Sequence, residues 1–183
     1  WFGIDVGMAE DLAVVGAWGA HSQAGSVFVY RRSDNGGWHY VQNLYGGDGS
    51  NFGYSLAIQG EVLVVGAPNS YRTQLGNRFG KALAVSGENK YGFRVLVGQK
   101  KQVHLYEHDA ARSSGYQWFS AGFLDTGYDT DSSFFYGSAL AASGKSMLVG
   151  VKDHSSRAAG GQFAQAGAVV VMDTDDRSDG DVQ

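Results

Sequence analysis

The chain has 183 residues, 43% hydrophobic and only 17% charged, enough for one core-bearing domain or several stacked repeats and too apolar for a disordered tail. A net charge of −4 speaks against a nucleic-acid surface, which needs a basic stripe. No apolar run approaches the roughly 18 residues of a membrane-spanning helix. Gly occurs 28 times, Pro once and Cys never, so tight turns are expected to rest on glycine and no disulfide supports the fold.

The chain opens in a strand-like pattern at Trp1-Phe2-Gly3, without a visible signal peptide, as a processed end or a piece of a longer chain would. Phe2-Gly3-Ile4-Asp5-Val6-Gly7-Met8 and Leu12-Ala13-Val14-Val15-Gly16-Ala17 read as two strands of a hairpin. A third apolar strand follows at Gly25–Tyr30, then a polar turn at Ser33–Gly37, then an aromatic strand at Trp38–Leu44. The pattern then restarts. Phe52-Gly53-Tyr54-Ser55-Leu56-Ala57-Ile58 leads to Val62-Leu63-Val64-Val65-Gly66-Ala67-Pro68. Phe79-Gly80-Lys81-Ala82-Leu83-Ala84-Val85 leads to Val95-Leu96-Val97-Gly98, with further strands at Gln102–Tyr106 and Tyr116–Leu124. Tyr136-Gly137-Ser138-Ala139-Leu140-Ala141-Ala142 leads to Met147-Leu148-Val149-Gly150, with a further strand at Gly167–Met172.

Each full copy is therefore a β-meander of four short strands, and about 50 residues separate Phe2 from Phe52, the period of a propeller blade. The apolar runs such as Val62–Val65 suit strands covered on both faces. The Gly-Ala pairs after the second strand suit a close approach of backbones. The expected fold is all-β: β-propeller blades of four-stranded antiparallel meanders in one region, 1–183, with repeats at about 2–51, 52–78, 79–135 and 136–183.

Phe52-Gly53 with Gly66-Ala67-Pro68, and Phe2-Gly3 with Gly16-Ala17-Trp18, resemble the FG-GAP repeat of integrin α-subunit heads and of bacterial and algal surface proteins. The resemblance covers almost the whole chain, with degenerate third and fourth copies ending in Gly98-Gln99 and Gly150-Val151. It implies a β-propeller, commonly seven-bladed, that binds partners through one rim. Only about 27 residues separate Phe52 from Phe79, too few for a full meander, and the last copy ends at Gln183 where a fourth strand should begin. An incomplete propeller of about four partial repeats is expected, completed by residues or chains outside this sequence.

The integrin-like calcium loop, a run of aspartates between the first two strands, is missing from Ala9-Glu10-Asp11, Gln59-Gly60-Glu61, Ser86–Gly92 and Ser143-Gly144-Lys145. The acidic tail, with Asp173, Asp175, Asp179 and Asp181, has the oxygen ligands that a hard cation takes. By repeat alignment it is also a hairpin turn, where Asp and Gly are ordinary. Asp125–Asp131 stands in the same position as an inter-repeat loop. No cofactor is expected; Ca²⁺ stays open through the acidic tail, although the family's calcium loops are absent.

His21, His39, His104, His108 and His154 show no metal-ligand spacing, and no Gly-x-Ser-x-Gly occurs. Gly46-Gly47-Asp48-Gly49 has no helix after it to hold a phosphate, and Lys100-Lys101 with Arg94 reads as a solvated strand end. The resemblance places the ligand rim in the loops after the second and fourth strands, at Trp18–Ala24, Tyr45–Asn51 and Lys152–Gln165. There Trp18, His21, Tyr45, Asp48, Asp153 and His154 are the candidate contacts, with Tyr71 a further loop aromatic. The expected function is a non-catalytic binding, adhesion or structural module, extracellular or at the cell surface, that meets a protein or glycan partner within a larger assembly. The alternatives are an accessory propeller of a secreted hydrolase or lyase, and a propeller enzyme with a site on its axis.

Overall fold

The computed structural model describes residues 1–70, 79–88, 92–99, 102–108, 118–124, 135–152, 156–158, 161–163 and 167–173. Their regular structure is almost wholly strand, arranged in antiparallel sheets of which none closes on itself. No helix among them is long and apolar enough to cross a membrane. The chain divides into two compact units, Trp1–Leu83 and Ala84–Gln183.

In the first unit, β1 (Val6–Ala9), β2 (Leu12–Ala17), β3 (Ser26–Arg32) and β4 (Trp38–Tyr45) form a four-stranded sheet in chain order, the meander expected of a full copy. The turn from β1 to β2 contains only Glu10 and Asp11, with Glu10 at φ 53°, the left-handed geometry a two-residue hairpin needs. Between β3 and β4, the Ser33 N–H donates to the Gly37 carbonyl and the Gly37 N–H to Asn35 Oδ1, which closes the polar turn. A bulge follows, because Val29 pairs with Gln42 while Tyr30 pairs with Tyr40.

The second copy is a hairpin, β5 (Leu56–Gln59) and β6 (Val62–Val65). Leu56 joins Val14, Val27 and Val29 in a buried cluster, flanked by Leu12, Leu44, Phe52, Ile58, Leu63 and Val65. The hairpin thus packs on one face of the sheet, and each fully buried aliphatic side chain contributes roughly 1.5–3 kcal/mol. Full burial of Val62–Val65 was the expectation, but all four are half-buried. The reason is the short repeat: among the described residues β6 has no second neighbour, so one edge stays wet.

In the second unit, β7 (Leu83–Glu88), β8 (Gly92–Gly98), β9 (Val103–His108) and β10 (Trp118–Leu124) form another four-stranded meander. The fourth copy supplies β11 (Phe135–Ser143), β12 (Ser146–Lys152) and β15 (Ala168–Asp173). A separate hairpin, β13 (Ser156–Ala158) with β14 (Gly161–Phe163), lies within the long connection from β12 to β15. Ala84, Leu96, Val103, Leu105, Met147 and Val149 are buried between the two sheets, with Leu140, Ala142 and Val170 packed beside them. Among the described residues, the sheet of the fourth copy has three strands, in the order β11-β12-β15.

The repeated Phe-Gly and Gly-Ala pairs have a direct structural account. The Gly3 N–H donates to the Gly16 carbonyl at 2.9 Å, and the Gly16 N–H donates back to the Asp5 carbonyl at 2.9 Å. The second copy repeats both bonds, Gly53 to Gly66 at 3.0 Å and Gly66 to Ser55 at 2.8 Å. Gly3 and Gly53 hold φ of +86° and +84°, a conformation that L side chains rarely adopt. Gly16 does a different job. A Cβ there would run into the carbonyl oxygen of Gly53, and one at Gly66 into that of Gly80. The glycine near the end of β2 or just past β6 is therefore a seat for the Phe-Gly turn of the next copy. Polar side chains add to the same junctions: Asp5 Oδ2 accepts the Leu56 N–H at 2.7 Å, and Ser55 Oγ donates to the Gly80 carbonyl at 2.7 Å.

Candidate functional site

Two of the three loops singled out by sequence meet at one end of the first sheet. The loop after β2 contains a single turn, α1 (Ala20–Gln23), whose His21, Ser22 and Gln23 all take positive φ (51°, 55° and 71°). Left-handed backbone at a non-glycine residue costs on the order of 1 kcal/mol each and persists only where its surroundings enforce it. Here they do. The Gln23 carbonyl accepts the Asn51 N–H at 3.0 Å, the Ala24 carbonyl accepts the Phe52 N–H at 3.2 Å, and the Gly25 carbonyl accepts the Gly46 N–H at 3.1 Å. Ser50 Oγ, buried, adds a bond to the Ala24 carbonyl at 2.9 Å. The loop after β4 thus splints the turn after β2, and Asn51 itself sits at φ 56°.

This frame displays aromatic side chains. The ring of His21 meets that of Tyr45 edge-on at 5.2 Å, and both residues are exposed. Trp18 is half-buried, stacked on Trp1 at 5.9 Å and tilted against Tyr54 at 6.3 Å. The ammonium of Lys81 lies 5.9 Å from the Tyr54 ring centre, within cation–π range. Asp48 is exposed in the loop after β4. Among the described residues, such a surface has ring faces for stacking on sugars or side chains, together with the Lys81 ammonium, the Asp48 carboxylate and the His21 imidazole.

Trp18, His21, Tyr45 and Asp48 therefore belong to one loop pair. Asp153 and His154 lie outside the described residues, as do Asp175, Asp179, Asp181, Tyr71, Lys100, Lys101 and the stretch 125–131. Asp173 is the last residue of β15, opposite Ser146. Among the described residues, no group of three or more His, Cys, Asp or Glu side chains could hold a metal ion. The two-residue turns β1–β2, β5–β6 and β11–β12 are too short to wrap a cation.

Reading the loops alone missed Trp1, Tyr54 and Lys81. A signal for two of them was present: Ile4, Tyr54 and Lys81 each follow the Phe-Gly glycine, so repeat symmetry puts them at equivalent positions. In the second unit, Arg94 pairs with Glu107 across β8 and β9 at 3.0 Å, more than a solvated strand end. The pair lines an open cleft of about 580 Å³ together with Ser86, His108 and Lys145. Within it, Ser86 Oγ donates to the Gly144 carbonyl and the His108 ring lies 5.0 Å from that of Trp118.

No protein-family model matches the chain, and no curated protein is significantly similar to it in sequence.

Proposed function

We propose that this chain is a non-catalytic binding or adhesion module, built from FG-GAP-type propeller repeats, that works at a cell surface or in an extracellular assembly. The observation that carries the reading is the splinted loop pair. Backbone hydrogen bonds hold a strained left-handed turn so that Trp1, Trp18, His21, Tyr45 and Tyr54 share one end of the sheet. Rigid aromatic display lowers the entropy lost on binding, the usual economy of a recognition surface. The propeller reading is supported by the recurrence of one hydrogen-bond set at Gly3/Gly16 and Gly53/Gly66. The partner class that suits exposed rings with few charges is a glycan or a protein with apolar and polar groups interspersed.

The test is an array of extracellular polysaccharides and matrix proteins probed with the whole chain. Tyr45→Ala and Trp1→Ala remove exposed rings, so folding is expected to survive and affinity to fall at least about tenfold. Binding that is unchanged in both variants, or no binding to any arrayed polymer, overturns the reading.

A further inference from the structure

The first and last sheets each leave open a face that other copies of the repeat bury. In the second copy, Leu56, Ile58, Leu63 and Val65 pack onto the preceding sheet. Their equivalents in the first copy are Val6, Met8, Ala13 and Val15, which line the opposite side of the first sheet. Leu56 is 7% exposed, whereas Val6 is 64% exposed and Met8 is similarly open.

The other end shows the converse. In the first copy, Val14, Val27 and Val29 form the face that receives the following hairpin. In the fourth copy the same positions are Leu148, Val169 and Val171, and the registers agree: Val14 faces Val29 as Leu148 faces Val171, and Gly16 faces Val27 as Gly150 faces Val169. Val27 and Val29 are 0% and 8% exposed; Val169 and Val171 are 67% and 70% exposed. Among the described residues, one chain thus carries an unfilled receiving face and an unfilled inserting face of the interface already seen between its first two copies. At Gly150, the equivalent of the Gly16 seat, the atoms nearest to a Cβ are those of Ala139 in its own hairpin.

We propose that these faces bind each other between two copies of this chain, head to tail, with Val6 and Met8 of one copy seated on Leu148, Val169 and Val171 of the next. Contiguous exposed apolar surface of this kind marks an interaction site, and the repeat itself supplies a complementary partner. Because the two faces differ, the contact is heterologous and leaves one face of each kind open at the ends of a dimer.

Sedimentation velocity over micromolar to millimolar concentrations tests this, independently of any glycan or protein ligand. Wild type is expected to gain mass with concentration, while Met8→Glu and Val171→Glu alone stay monomeric. An equimolar mixture of the two variants still has one intact face of each kind, and is expected to form dimers and nothing larger. Both side chains are mostly solvent-exposed, so circular dichroism should report unchanged sheet; if Met8→Glu loses it, Val6→Lys takes its place. A wild type that stays monomeric overturns the proposal and leaves the faces to further repeats. Single variants that associate like wild type, or a mixture that stays monomeric, also overturn it.

Discussion

Gly16 and Gly150 occupy the same position in the second strand of the first and fourth copies, yet their surroundings differ. A Cβ at Gly16 would collide with the Gly53 backbone of the next copy, while one at Gly150 would stand 3.3 Å from the Ala139 carbonyl of its own hairpin. The two units nonetheless build their cores alike, from Val14, Leu56 and Leu63 in one and from Leu140, Met147 and Val149 in the other. The comparison separates two jobs that the motif combines. Alternating apolar positions pack sheet on sheet, and the glycine is needed only where another copy is seated. The loops differ in the same sense. Eight residues, 18–25, join β2 to β3 and carry the left-handed turn, whereas β8 and β9 are joined by 99–102, closed by the Gln99 N–H on the Gln102 carbonyl. The connection after the second strand is thus long in the first copy and short in the third.

The largest expected effect compares the two glycines. Gly16→Ala should destabilise the first unit by about 3 kcal/mol, because neither backbone can yield without losing the hydrogen bonds around Asp5 and Gly53. Gly150→Ala, whose Cβ meets the Ala139 carbonyl at 3.3 Å, should cost less than about 1 kcal/mol. Hydrogen exchange resolved by peptide, with urea titration, reads both; equal effects would break the distinction between the two glycines. Next comes the valine pair. Val27→Ala should cost about 2 kcal/mol through a cavity, and Val169→Ala less than about 0.5 kcal/mol when measured in the Met8→Glu background, where self-association is blocked.

The smallest effect sharpens the contrast from the side of the second unit. Burial holds the pKa of His104 on β9 below the ordinary histidine value, so its folded state disfavours the proton. Its contribution to stability is complete above the unfolded value of about 6.5 and declines as pH falls from there toward the lowered folded value. His104→Gln should flatten the dependence of the urea midpoint on pH below about 6.5 in this unit and leave exchange in the first unit unchanged. A slope that persists in the variant would assign it to another group.

Much of the fold was legible because strand physics is local. The apolar run in Gly25–Tyr30, the turn at Ser33–Gly37 and the recurrence of Phe-Gly or Tyr-Gly at the start of each copy located the strands of the first sheet and the hairpins of the later copies. The candidate site was half legible. Trp18, His21, Tyr45 and Asp48 stood out as loop residues, but no local pattern says that Gln23 bonds Asn51, or that Trp1 stacks on Trp18. Those contacts join segments whose separation along the chain gives no clue to their meeting.

The sequence by itself determined the all-β class, the antiparallel hairpins and the repeat period, since these follow from side-chain alternation and glycine turns a few residues apart. Tertiary structure alone decided which face of each sheet is covered. Val27 and Val169 occupy one repeat position with one side chain, and only the presence of a following copy makes the first core and the second surface.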